Sequence, residues 1–296
     1  MMDFREYQRR ARETDQTPDT DGDGLIVPLL GMAGEVGTLL ADYKKRLRDR
    51  DTYRLFKESI AEELGDILWY VANLATKLDL DLDDIAAFNL RKTRERWLHV
   101  GEKQGRLPFY LLFDEQFPPE EQLPRKFSVK FSQEKQGSGA TVVLTWDGQT
   151  IGNRLTDNAY VDDGYRFHDV FHLSYAALLG WSPVTRKLMQ RKRKSNPKVD
   201  EVEDGGRAGV TEEGISAYVF SYAKDHSFLR NVGALDYELL RTIKRLTASF
   251  EVNIRSPADW ERAILAGYQV WRKMRESEGG TVHLDLVNRT IAYSSE

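Results

Sequence analysis

The sequence predicts a mainly α protein: an N-terminal all-α helical bundle followed by an α+β domain with a small antiparallel sheet. Three observations lead there. Apolar residues recur at helical spacing through most of residues 1–105 and again between 166 and 276. Strict alternation, the period of a strand, appears at 127–131 and 141–146 and returns at 281–286 and 290–293. A Pro-rich, acidic stretch at 106–126 separates the two regimes. At 296 residues the chain exceeds one ordinary core, so the expected organisation is a bundle at 1–105, a linker at 106–126 and an α+β domain at 127–296.

Within the bundle, residues 3–15 read as a short amphipathic helix with Phe4, Tyr7 and Ala11 on one face. The polar stretch 17–24 has the aspartate spacing of a calcium loop but lacks the downstream Glu, and reads as a turn. Helices are expected at 25–48, 53–78 and 82–99, with Gly101 and Gly105 closing the bundle.

Two of these helices carry paired acids. Glu35 sits in Gly34-Glu35-Val36-Gly37-Thr38, and Glu63 and Asp66 sit in Glu62-Glu63-Leu64-Gly65-Asp66. Residues three apart share a helical face, so Glu63 and Asp66 address the same point. Crowded carboxylates must be paired, protonated or bound to a cation. Side by side, the two helices would form an all-oxygen cage suited to Mg²⁺. A lone Glu-x-x-Asp is more often a solvated acidic face, so the pattern needs support.

That support is a family likeness. Residues 24–97 resemble the all-α nucleoside triphosphate pyrophosphohydrolases, the MazG-like family, which carry Glu-x-x-Glu on one helix and Glu-x-x-Asp on a later one. The apolar run 67–75 follows the second motif as in the family, and Asn89, Lys92 and Arg96 resemble its closing helix. The resemblance implies cleavage of a nucleoside triphosphate to monophosphate and pyrophosphate by a homodimer or higher homo-oligomer. It implies catalytic Glu35, Glu63 and Asp66 holding Mg²⁺ (or Mn²⁺), and Lys92 and Arg96 on the substrate phosphates. One departure stands out: Thr38 occupies the place of the family's second Glu. Asp42, two turns beyond Glu35 on the same face, or Glu62 would then supply the missing ligand. Otherwise the site is degenerate and the protein a nucleotide sensor. Trp69 and Tyr70 are candidates for stacking on the base, and equally good core residues.

In the second domain the alternating segments read as two hairpins, one turning at Asp147-Gly148 and the other at Asn288-Arg289, meeting in one sheet. Helices are expected at 166–180, 183–194, 211–225, 235–251 and 257–276. His168 and His172 stand at i and i+4 on the first of them, a spacing used by metal sites. With Glu201, Glu203, Glu212 or Glu213 they would make a His/carboxylate centre for a transition metal, and a third reading places catalysis there. The alternative is a hydrogen-bonded core pair. The basic run 186–194 is either a polyphosphate cradle or a solvated helix end. From 155 onward the chain resembles the C-terminal extension of some bacterial MazG-like proteins, which supplies architecture and no chemistry.

The bulk numbers bound the rest. A formal charge of −4 argues against a nucleic-acid coat, and the absence of cysteine excludes disulfides and thiolate chemistry. The N-terminal residues lack the apolar core of a signal peptide, and no apolar run reads as a membrane span. A cytoplasmic protein without membrane or nucleic-acid partners is expected.

Overall fold

Asp3 opens the first helix by accepting a hydrogen bond from the Glu6 amide, an N-cap that satisfies one orphan donor. In the computed structural model this helix, α1 (Phe4–Arg12), is followed by α2 (Asp23–Asp49), α3 (Phe56–Lys77) and α4 (Leu82–Trp97). The structure describes residues 2–17, 20, 22–97, 112–136 and 139–295. The chain divides into two compact units, Met1–Arg94 and Glu95–Glu296.

In the first unit α2 and α1 both pack on α3. Gly31 lets α2 approach closely, since a Cβ there would lie 2.3 Å from the Tyr70 ring. Gln8 ties α1 to the start of α4: its amide donates to the Thr76 hydroxyl and Leu80 carbonyl, and its oxygen accepts from the Leu82 amide. Trp69 donates to the Thr14 hydroxyl and meets Tyr70 edge-on, which accounts for both rings as packing residues. The apolar cluster is small: Ala11, Ala72 and Leu82, with Tyr7, Trp69 and Val71 against it. Much apolar surface stays open on α2, including Leu29, Leu30, Leu40 and Leu47. Contrary to the sequence expectation, the segment Gly24–Thr52 is long and apolar enough for a membrane span by length and composition, with mean hydropathy 1.7 over its best window. Its small residues and isolated charges hide this from a search for unbroken apolar runs.

The second unit is built on a five-stranded antiparallel sheet of order β3-β2-β1-β4-β5, formed by β1 (Lys126–Gln136), β2 (Gly139–Trp146), β3 (Gln149–Leu155), β4 (Gly279–Asp285) and β5 (Thr290–Ser294). The two hairpins meet as expected: β1 pairs with β4 in the register Phe127↔Leu284 and Val129↔Val282. Alternation puts Val129, Phe131, Val142, Leu144, Val282 and Leu284 on the buried face. Two helices cover it: α5 (Asp169–Leu179), buried along its whole length, and α10 (Pro257–Glu276), opened by a Ser256/Asp259 capping box. The remaining helices are α6 (Pro183–Leu188), α7 (Pro197–Val202), α8 (Gly206–Asp225) and α9 (Tyr237–Leu246).

Three expectations need correction. Residues 112–125 are not a spacer: Leu112 and Leu123 belong to the core of the second unit, and buried Asp114 binds Arg186 at 2.8 Å. The helix expected over 183–194 stops at Leu188, because Gln190 takes a left-handed conformation (φ 56°) and the chain turns to bury Arg193. The hairpin at Asp147-Gly148 continues into β3, which was not foreseen as a strand. Gly101, Gly105, Phe109 and Tyr110 lie outside the described residues.

Candidate functional site

Helices α2 and α3 bring the N-terminal carboxylates together. Loss of solvation, then a hydrogen bond to Glu35 and the fields of Glu35, Asp42 and Asp66, push the Glu63 carboxyl above its ordinary range. Its Oε2 is shut off from water and makes no hydrogen bond. Glu63 on α3 thus feels Glu35 and Asp42 of α2 and Asp66, three residues on along its own helix. Asp66 reaches further, and its charge, after burial, raises the Tyr7 phenol.

Thr38 is exposed, and its hydroxyl turns back to the Gly34 carbonyl at 3.4 Å, the local bond typical of a helical Thr. Asp42 joins the cluster instead, steadied by the Tyr53 hydroxyl at 2.9 Å and by Lys45 at 4.0 Å. Glu62 is exposed and, one residue before Glu63, is turned about 100° round the helix. Lys92 is half-buried on α4, and the side chain of Arg96 lies outside the described residues. The donor set is all oxygen, the chemistry of a hard divalent ion, and one Glu63 oxygen is shut off from water without a hydrogen bond, but among the described residues these carboxylates do not bring three ligand atoms within 4.8 Å of one another.

In the second unit His168 caps α5 and His172 lies fully buried one turn inside it. Glu212 and Glu213 face them from α8. Glu212 is buried and receives bonds from Ser182, the Val184 amide and the His172 ring, while Glu213 approaches both imidazoles. Burial alone would lower the His172 pKa, but the Glu212 and Glu213 carboxylates hold it up at about 10. Glu201 and Glu203 stand elsewhere. Glu201 pairs with Lys198 on the surface, and Glu203 accepts from the Glu251 amide. Asp169, which sequence reasoning passed over as a ligand, falls into the cluster because α5 begins there. The signal was present: a third potential ligand follows the first His directly.

The basic run is mostly structural. Arg186 is buried against Asp114, and Arg193 against Asp204 and Glu251 at 2.7 Å each. Lys187 and Lys192 are the basic residues of the run that line the cavity beside His168.

The chain belongs to the MazG family: residues 30–101 match the MazG nucleotide pyrophosphohydrolase domain and residues 109–296 the MazG C-terminal domain. A relative, the Gene 37 protein of Mycobacterium phage L5, is 38% identical over 96 residues, which is 30% of this chain and 84% of that protein. No solved structure matches.

Proposed function

We propose that the first unit is a Mg²⁺-dependent nucleoside triphosphate pyrophosphohydrolase, with Mn²⁺ as a substitute ion, working as a cytoplasmic homo-oligomer, a dimer at least. Water adds at the α-phosphorus and the α–β anhydride bond breaks, giving a nucleoside monophosphate and pyrophosphate. The observation that carries this reading is Glu63, its carboxyl crowded by Glu35, Asp42 and Asp66 within a matched pyrophosphohydrolase domain. When bound, the ion would neutralise phosphate charge and acidify a water. Glu35, Glu63 and Asp66 would hold it, and Asp42 would take the place that Thr38 leaves empty. Lys92 is assigned to the phosphate tail as a point charge and Arg96 as a two-pronged donor. The open apolar face of α2 supports association with a second copy.

The test is pyrophosphate release from a panel of nucleoside triphosphates with and without Mg²⁺ or Mn²⁺. Activity should require the ion and fall at least 100-fold in Glu63→Gln and Asp66→Asn, while both variants stay folded. Full activity in both would remove this site. The second reading, a nucleotide sensor, is favoured by Thr38, which offers no ligand. It predicts nucleotide binding without pyrophosphate release under any ion.

A further inference from the structure

The second unit holds a cluster of ligand atoms that the pyrophosphohydrolase reading does not use. Potential ligand atoms of His168, Asp169 and His172 lie within 4.8 Å of one another, and all three residues are buried. Both imidazoles are oriented through their Nδ1 atoms. His168 Nδ1 is 2.8 Å from the Tyr165 carbonyl oxygen, which can only accept, so Nδ1 carries the proton and Nε2 presents a lone pair. Tyr165 also stacks on the His168 ring, 4.4 Å between centroids and 3° from parallel. His172 Nδ1 is 2.9 Å from Glu212, itself anchored by Ser182 at 2.6 Å and the Val184 amide at 2.9 Å. A histidine held from behind by a carboxylate or carbonyl is the arrangement that orients and strengthens a metal ligand.

The front atoms converge. His172 Nε2 is sealed from water and makes no hydrogen bond, although Glu213 Oε2 stands 3.3 Å away. His168 Nε2 lies 3.6 Å from Asp169 Oδ1 and 4.0 Å from the same Glu213 oxygen. Ligands bonded to one ion at about 2.0–2.2 Å stand about 3 to 4 Å apart, depending on the angle between them. The 3.6 and 4.0 Å separations are too long for direct hydrogen bonds, the His172–Glu213 pair at 3.3 Å is not aligned as one, and all three suit an ion between them.

The cluster forms one wall of a cavity of about 770 Å³. His168, Asp169 and Glu213 line it, together with Lys187, Lys192 and the Gly205-Gly206 step. That step is the N-terminus of α8, a 20-residue helix with no side-chain cap, so the positive end of its dipole opens on the cavity. Lys192 is steadied by Asp200 at 2.7 Å.

We propose that His168, Asp169, His172 and Glu213 form a first-row transition-metal site, and that the cavity beside it receives a phosphate group bridging the metal and the lysines. Imidazole nitrogens select Zn²⁺, Mn²⁺, Fe²⁺ or Co²⁺ over Mg²⁺ and Ca²⁺, which distinguishes this site from the oxygen cage of the first unit. Glu212 is the supporting carboxylate and not a ligand.

The experiment is a Co²⁺ titration of the full chain followed by visible absorption, with Zn²⁺ as competitor and inorganic phosphate as the ligand probe. Wild type should bind Co²⁺ with ligand-field bands that Zn²⁺ abolishes, and so should Glu63→Gln/Asp66→Asn, which removes ligands of the other cage. Glu213→Gln, on a half-exposed side chain, should weaken binding at least ten-fold, as should His168→Gln. Phosphate should shift the bands in wild type and do so at least ten-fold less effectively in Lys187→Ala. No Co²⁺ binding by wild type, or unchanged binding in both Glu213→Gln and His168→Gln, would overturn the metal site. So would loss of the bands in Glu63→Gln/Asp66→Asn. Bands indifferent to phosphate would overturn the ligand.

Discussion

In the proposed Mg²⁺ site, Asp42 is the candidate for the ligand that Thr38 does not supply. Its carboxylate acts on Glu63 while the Thr38 hydroxyl is spent on its own helix. Asp42→Asn should therefore weaken Mg²⁺ binding about ten-fold, roughly 1.4 kcal/mol for one lost carboxylate ligand. Thr38→Ala should change it less than two-fold, both read by metal titration of activity. The raised Glu63 carboxyl adds a pH signature. Its folded state holds the proton more tightly than the unfolded chain, so this group destabilises the metal-free fold as pH rises from the ordinary 4.5 through the raised value. That Glu63 and Asp66 share a face was legible in sequence, because helical spacing fixes it; Glu35, on another helix, came from the family likeness. The choice between Asp42 and Glu62 depended on the phase of α2 against α3. Glu212 and Glu213 could not be told apart either: neighbours on a helix differ by about 100° in direction, and burial assigns one behind His172 and the other in front.

At the level of elements, the segment expected as a linker is a structural clamp. Asp114, 2% exposed, receives Arg186, Arg125 and the Leu123 amide, and so joins the chain before β1 to α6. Burial pushes its carboxyl up, but Arg186, the Leu123 amide and Arg125 together hold it below the usual range. A depressed carboxylate contributes stability that is present above its ordinary 3.8 and is lost as pH falls through the folded value. Asp114→Ala strands the Arg186 guanidinium in the core and should cost about 3–5 kcal/mol in denaturant unfolding. It should also flatten the acid limb of the stability curve. Composition disguised this clamp, because prolines and acids read as solvated spacer until their partners, more than 60 residues on, are known. The five-stranded sheet was easier to foresee, since alternation in both hairpins survives any choice of partner. Only β3 escaped, its exposed positions leaving little apolar pattern.

For the molecule as a whole, the first unit has too little core to stand alone. Among its described residues the buried cluster holds three side chains, while Leu30 and Leu40 are 67% and 62% exposed. A second copy that covers α2 would complete it, and its stability would then rise with protein concentration. Sedimentation should show a dimer or larger assembly in wild type. Leu30→Glu/Leu40→Glu should shift it towards monomer and lower the melting temperature of the first unit by several degrees. An unchanged assembly would place the interface elsewhere.

The pairing of β1 with β4 has a further consequence, in time. The first unit closes through contacts among neighbouring helices, but the middle strand of the sheet waits for residues at the far end of the second unit. A growing chain therefore forms the helices of its first unit early and carries Val129 and Phe131 uncovered until synthesis reaches Val282 and Leu284. Refolding should show a fast helical phase in circular dichroism. A slower phase in the fluorescence of Trp181, Trp260 and Trp271, all buried in the late-closing core, should follow.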